Sequence, residues 1–236
     1  NLGINIKNDN EVIKNYIRVQ ETFCEKDSIQ FLKTHSYLFN FENKYPFTNL
    51  DHSLGAIYIV RDPRNVATSF ANFSDFSTDK AASAMINQIN FGGNLETKKR
   101  RGESTRVWTG TWNNHYNSWK SFSYQDRYLL IKYEDLMIDT EKVFLNILKF
   151  VHNLNKSTFL LDKNKFNNAL KTTSFSNLKN LEKTEGFVES KLDKKGKKIP
   201  FFNLGPKNDW KKLLDINVKK KIEKAFEKEM IELGYL

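Results

Sequence analysis

The sequence predicts an α/β fold built on parallel strands, on three observations. Ile57 to Val60 is a short apolar run of the β-branched and aromatic kind that suits a buried strand. It stops at Arg61-Asp62-Pro63, after which Val66, Ala67, Ser69 and Phe70 begin a helical pattern. Arg127 to Lys132 reads as a second such strand, leading through Tyr133-Glu134-Asp135-Leu136 into a helix from about Thr140 to Val151. Ser28 to His35 reads as a further short strand on Ile29, Phe31 and Leu32, ending in Lys33-Thr34-His35. In an open parallel sheet of this kind, ligands bind outside the carboxyl ends of the strands.

The turn at Arg61 has its own logic. Pro63 cannot donate to a ladder but suits a first helical turn, and Asp62 stands at the N-cap position. Arg61, Arg64, Thr68 and Ser69 gather at that helix start, the parts of an anion site and most simply a phosphate site. Charged strand ends are also ordinary surface features, so the triplet alone does not decide the matter.

Composition bounds the rest. The 236 residues suit a single domain spanning 1–236, and 39% hydrophobic content with 19 Phe and 4 Trp can supply a core. No apolar run reaches the roughly 20 residues of a membrane span. Asn1 to Asn10 lacks the basic start and apolar centre of a signal peptide. One cysteine, Cys24, excludes an internal disulfide and a cysteine metal cluster, which fits a reducing cytoplasm. The net charge of +10 fits an anionic ligand, and equally fits solvated basic helices.

Along the chain, Glu11 to Val19 has a short helical pattern. Ser36 to Gly55, with Tyr37, Phe39, Phe41, Tyr45 and Phe47, is either an acceptor-pocket wall or loop packing. Thr78 to Ile89 reads as a helix through Ala81, Ala82, Met85 and Ile89. Lys98-Lys99-Arg100-Arg101 lies in a loop-like stretch that suits a solvated segment better than a nucleic-acid contact. Trp108, Trp112, His115 and Trp119 fall on one helical stripe, a pattern usual for a core. Ser157 to Ala169 looks helical, and Thr172-Thr173-Ser174-Phe175 reads as the cap of another helix. Glu182 to Lys198 is polar and loop-like, with Lys194-Lys195 inside it, and Asp215 to Leu233 is an amphipathic helix.

The stretch from Ile57 to Phe70 resembles the segment of the sulfotransferase family that binds the 3′-phosphate of 3′-phosphoadenosine 5′-phosphosulfate (PAPS). Lys33-Thr34-His35, Tyr133-Glu134-Asp135-Leu136, Thr173-Ser174-Phe175 and the stretch from Phe201 to Lys211 resemble further family motifs in the family's order. The resemblance implies a three-layer α/β sandwich with a central parallel sheet, of the P-loop type. It implies that Arg61, Ser69 and the Gly205 loop, at Asn203, Leu204 and Gly205, hold the 3′-phosphate. It implies that Tyr133 and Phe175 hold the adenine with Thr173 nearby, an aromatic sandwich suiting an uncharged π-face. It implies that His35 is the general base, with Lys33 near the transferring sulfonate and His115 beside the acceptor pocket. A His poised near neutrality suits that task.

Three departures matter. The family's Arg-Lys pair before the glycine is Asn203-Leu204 here, and its second glycine is Asn208, which leaves Lys207 as the nearby cation. The family's phosphosulfate loop, of Pro-Lys-Ser-Gly-Thr-Thr type, has no counterpart before Lys33. A sheet without its first strand exposes an unpaired edge, so the expectation is a chain that starts after that loop rather than a degenerate member. Positions after Lys211 depart from the family's dimer motif, with Lys220 at its acidic position, so that dimer is not expected.

The resemblance therefore implies transfer of a sulfonate from PAPS to an acceptor hydroxyl or amine on a small molecule or glycan, leaving adenosine 3′,5′-bisphosphate. No residue cluster calls for a metal, and neither a nucleic-acid partner nor a membrane span is expected. The alternative is a non-catalytic module that binds a nucleotide or polyanion on a degenerate version of the fold. A nucleotide kinase is disfavoured, since no Gly-x-x-x-x-Gly-Lys-[Ser/Thr] turn is present.

Overall fold

The structure is a computed structural model that describes residues 2–24, 28–87, 90–91, 107–193 and 196–236. The basic cluster Lys98–Arg101 and the pair Lys194-Lys195 lie outside the described residues. In chain order the elements are α1 (Asp9–Lys14), α2 (Tyr16–Cys24), β1 (Asn40–Phe41), β2 (Tyr45–Pro46), β3 (Ala56–Val60), α3 (Pro63–Ser74) and α4 (Thr78–Ile86). Then follow β4 (Asn90–Phe91), β5 (Val107–Trp108), α5 (Trp112–Trp119), a 3-10 turn (Lys120–Gln125), β6 (Tyr128–Lys132), α6 (Tyr133–Ile138) and α7 (Thr140–Leu154). The chain closes with α8 (Lys163–Thr172), α9 (Phe175–Thr184), β7 (Lys191–Leu192), β8 (Lys198–Ile199), a 3-10 turn (Gly205–Lys207), α10 (Trp210–Leu213) and α11 (Ile216–Glu232).

The fold class is α/β, and β3 and β6 pair as its central parallel sheet. Ala56 N–H donates to the Arg127 carbonyl at 2.8 Å, which starts the ladder. Each of these strands leads into a helix within two residues, as the strand-turn-helix pattern predicts. Asp62 does cap α3, its carboxylate accepting from the Arg64 N–H at 2.9 Å, and Ser174 caps α9. Ser157 to Asp162 is not helical; α8 begins at Lys163, where Asp162 accepts from the Lys165 N–H.

The expected strand from Ser28 to His35 is not formed. Among the described residues the central sheet has only β3 and β6, so no ladder recruits this segment. Phe31 and Leu32 consequently stay 71% and 68% exposed.

The chain forms two compact units, and the division cuts both central strands. The first holds residues 1–58 and 87–129. Its aromatic cluster joins Tyr16, Phe39 and Phe47, with ring centroids 5.0–5.9 Å apart, and brings Trp108 and Trp119 against the same group. Phe39 and Trp119 are buried, so the aromatic loop from Ser36 contributes core rather than surface. Tyr116 and Phe122, each 2% exposed, complete this core.

The second unit holds residues 59–86 and 130–236. In α11 the residues Val218, Ile222, Phe226 and Met230 recur every fourth position and are all buried. That spacing places them on one stripe, which is why a Lys- and Glu-rich helix packs at all. On α4 the small residues Ala81, Ala82 and Ala84 are buried and let neighbouring helices approach closely. No helix among the described residues is long and apolar enough to cross a membrane.

Phe226 is 2% exposed at a kink in α11, where its φ of −123° departs from helical values. Phe226→Ala leaves a cavity in the second unit and is expected to cost about 3–5 kcal/mol of unfolding free energy, read from the urea midpoint. A loss below about 1 kcal/mol would mean that the stripe does not anchor the helix.

Candidate functional site

In the second unit the end of β3 delivers Arg61 to a cradle made by three separate segments. Its guanidinium lies 4.3 Å from the Tyr133 ring centroid, and Nη2 donates to the Gly205 carbonyl at 3.2 Å. Its Nε is buried without a hydrogen-bond partner, a donor available for an acceptor oxygen. Gly205 has φ of +51°, and a Cβ there would come within 2.2 Å of the Phe175 ring. Only glycine permits the loop to pass so close to Phe175. Arg61, Tyr133, Phe175 and Gly205 are thus brought together, as the sequence motifs imply.

The other expected members of the anion site fare differently. Arg64 is buried and fully engaged within the protein. It pairs with Asp62 at 2.8 Å and Glu223 at 2.5 Å, donates to the Tyr235 carbonyl at 2.7 Å and stacks 4.0 Å from the Trp210 ring centroid. Burial pulls its pKa down, but the bonds to Asp62 and Glu223 outweigh that and raise it. Thr68 is buried too, its hydroxyl 2.8 Å from both the Asn65 carbonyl and Asn208 Oδ1. Arg64 and Thr68 are therefore framework, a correction to their reading as anion ligands. Ser69 stands beside Thr68 on α3 and is exposed.

Asn208 replaces the expected second glycine and earns a structural role. It is buried, and its amide donates to the Asn65 carbonyl at 2.9 Å while Trp210 N–H donates to Asn65 Oδ1 at 3.0 Å. The Gly205 turn is thereby tied to α3. Asn203 accepts from Lys179 Nζ through its carbonyl at 2.8 Å, and Leu204 is 40% exposed. Lys207 is exposed on the same turn. Thr173 ends α8, its hydroxyl donating to the Ala169 carbonyl at 2.7 Å.

Glu134 does not cap its own turn; α6 has no side-chain cap. Its carboxylate instead accepts from the Asp62 N–H at 3.3 Å and from the Tyr235 hydroxyl at 2.9 Å. Two partners distant in sequence take this carboxylate. Burial, reinforced by Glu134, raises the Tyr235 pKa.

Glu182, read from sequence as the edge of a polar loop, is 3% exposed. It accepts from the Ser190 hydroxyl at 2.6 Å and from the N–H groups of Phe201 and Phe202 at 2.7 and 2.9 Å. Burial pushes its pKa up, and these bonds more than reverse that and hold it below the ordinary value. It is the anchor of the segment that leads into the Gly205 turn.

In the first unit, Lys33 and His35 are exposed side chains at the end of a segment that forms no regular element. Ser36 is 4% exposed, and its carbonyl accepts from Trp119 Nε1 at 3.1 Å. His115 on α5 lies beside His35, with Nδ1 2.8 Å from the Tyr58 hydroxyl. Burial lowers the His115 pKa to about 4, so the ring is neutral at pH 7. Burial likewise raises the Tyr58 hydroxyl, which stays protonated.

Set beside known proteins, this chain matches the family described as sulfotransferase domain over residues 8–234 and belongs to it. The Sulfotransferase 1E1 of Cavia porcellus is 31% identical over 123 residues, 51% of this chain and 39% of that protein. The Sulfotransferase 2A1 of Macaca fascicularis is 26% identical over 192 residues, 80% of this chain and 61% of that protein. The chain thus spans less than two-thirds of either relative. Among solved structures, mouse sulfotransferase SULT7A1 complexed with PAP aligns with a TM-score of 0.58 at 21% identity, over 89% of this chain and 68% of that one. Retinol dehydratase in complex with androsterone and the inactive cofactor PAP aligns with a TM-score of 0.59 at 17% identity, over 89% of this chain and 56% of that one. Both likenesses show the same α/β fold.

Glu182→Gln presents an amide N–H to a backbone N–H and is expected to cost about 1–3 kcal/mol, read by urea unfolding. The pH dependence has a definite sign. Because the folded pKa lies below the ordinary value of 4.5, the Glu182 contribution is full above 4.5 and is lost as pH falls through the folded value. An unchanged acid limb in Glu182→Gln would show that the carboxylate does not hold the loop.

Proposed function

We propose that this chain carries out the donor-binding and proton-abstracting parts of sulfonate transfer from PAPS to an acceptor hydroxyl or amine. The observation that carries the reading is Arg61, held at the end of a parallel strand beside a helix start, with a buried Nε directed to no protein acceptor. A phosphate monoester offers the oxygens such a donor lacks. Family membership and the PAP named in the two solved structures support the choice of ligand.

In this reading Arg61, Ser69 and the Gly205 turn, at Asn203, Leu204 and Gly205, hold the 3′-phosphate. Tyr133 and Phe175, with Thr173 at the neighbouring helix end, hold the adenine. The residues fit the group, because the Gly205 cradle is closed to any larger side chain and Arg61 is already oriented by its carbonyl. His35 removes the acceptor proton as the oxygen–sulfur bond forms. The bond from sulfur to the bridging phosphate oxygen breaks, and adenosine 3′,5′-bisphosphate leaves with that electron pair. Lys33 stabilises the negative charge that develops there. Catalysis is then mostly positioning and charge stabilisation, as in phosphoryl transfer. The chain acts as one domain on small-molecule or glycan acceptors.

Calorimetric titration with adenosine 3′,5′-bisphosphate, against adenosine 5′-monophosphate, tests the donor assignment. Affinity that requires the 3′-phosphate is expected, and Arg61→Ala should weaken it by roughly 2–3 kcal/mol. Equal affinity for both nucleotides would favour a non-catalytic polyanion-binding module. His35→Ala should lower turnover by about 10² or more without changing that affinity. Turnover that survives the change would remove His35 from the mechanism.

A further inference from the structure

Among the described residues, the segment before His35 pairs with no strand. Residues 28–35 are all exposed and form no regular element, yet the chain becomes buried at Ser36. His35 therefore sits where an exposed segment enters a core. A general base placed there needs its direction set from the core side, since a misplacement of about 1 Å can cost 10²-fold in rate.

The first unit supplies that support from α5 and β5. Trp119 Nε1 donates to the Ser36 carbonyl at 3.1 Å, and Trp108 N–H donates to Ser36 Oγ at 3.3 Å. Leu38 N–H donates to Ser118 Oγ at 2.9 Å. One turn earlier on the same helix stands His115, whose ring lies against the His35 main chain and its own. Its Nδ1 is 2.8 Å from the Tyr58 hydroxyl, and the two rings lie 5.5 Å apart at a tilt of 52°.

We propose that Tyr58 and His115 are positioning residues for His35, with the Tyr58 hydroxyl donating to His115 Nδ1 while the remaining His115 N–H donates to the His35 main-chain carbonyl. A neutral imidazole has one donor and one acceptor nitrogen, so a carbonyl on one side demands a donor on the other. Tyrosine provides it where phenylalanine would not. The pair thus selects one His115 tautomer and fixes the backbone from which the His35 ring projects. The arrangement follows the same logic as the partners that orient a metal-ligating histidine.

The inference rests on the proposed role of His35, so the experiment separates the two. The chain has 4 histidines, which selective 15N-histidine labelling of the full protein resolves by NMR. His115 is expected as a single neutral tautomer at pH 7, with Nδ1 unprotonated. In Tyr58→Phe, the His115 signals should shift towards mixed tautomers, and the His35 ring signals should move with them. With PAPS and 2-naphthol as the probe acceptor, Tyr58→Phe should lower kcat by about 10–100-fold while the KM for PAPS changes by less than about twofold. A purely structural role would instead lower the melting temperature and leave the His35 signals of the folded protein unmoved. If Tyr58→Phe fails to fold, His115→Gln read in the same spectra supplies the test. His115 found with Nδ1 protonated, or His35 signals unchanged in the folded variant, would overturn the proposal. Loss of turnover in His35→Ala with full turnover in Tyr58→Phe would overturn it too, while leaving the base assignment standing. Survival of turnover in His35→Ala would instead defeat the base assignment, and the spectra would still decide the positioning claim.

Discussion

The second unit depends on one buried cation. The Arg64 guanidinium gathers Asp62 from the turn after β3, Glu223 from α11 and the main chain at Tyr235, and Trp210 lies flat against it. Burying such a charge is tolerable only because nearly all its donors are satisfied. The fork geometry of arginine is what allows three partners at once, and a lysine would not reach them. Asp62 meanwhile caps α3 and takes the same guanidinium, so the helix start and the ion pair form together. The turn bearing Arg61 is the immediate neighbour of this knot and derives its fixed geometry from it.

The same arrangement explains what sequence reading could and could not reach. The strand-turn-helix units at Ile57–Phe70 and Arg127–Val151 were legible because their signals are local: apolar runs, a proline at a first turn, an aspartate before it. Arg64 looked like a ligand because nothing nearby except Asp62 announces a partner; Glu223 lies 159 residues away and Tyr235 171. The role of Glu134 is equally non-local, since one of its donors, the Tyr235 hydroxyl, is 101 residues on. Glu182 was hidden by its polar neighbours, since Glu185, Glu189 and Asp193 lie between it and the Phe201 and Phe202 amides that it takes. The segment ending at His35 erred in the opposite way. Its residues have strand propensity, but propensity forms no strand without a neighbour to pair with.

Sequence motif and structural role also separate at the Gly205 turn. The chain lacks the Arg-Lys pair of the family's motif there, yet the turn is held from several directions. Asn208 secures it to α3, Lys179 reaches the Asn203 carbonyl, and Glu182 holds the approach through Phe201 and Phe202. Framework bonds thus preserve the backbone path where the motif's side chains have changed. Backbone geometry and side-chain charge are separable parts of such a loop.

The contact between Arg61 and Gly205 has a consequence for the entropy of binding. A free arginine on a surface samples many rotamers, and immobilising one on ligand capture costs about 0.5–1.5 kcal/mol. Here the Tyr133 ring and the Gly205 carbonyl already confine the side chain. If this side chain takes the 3′-phosphate as proposed, the arriving anion would meet a receptor whose freedom was surrendered during folding.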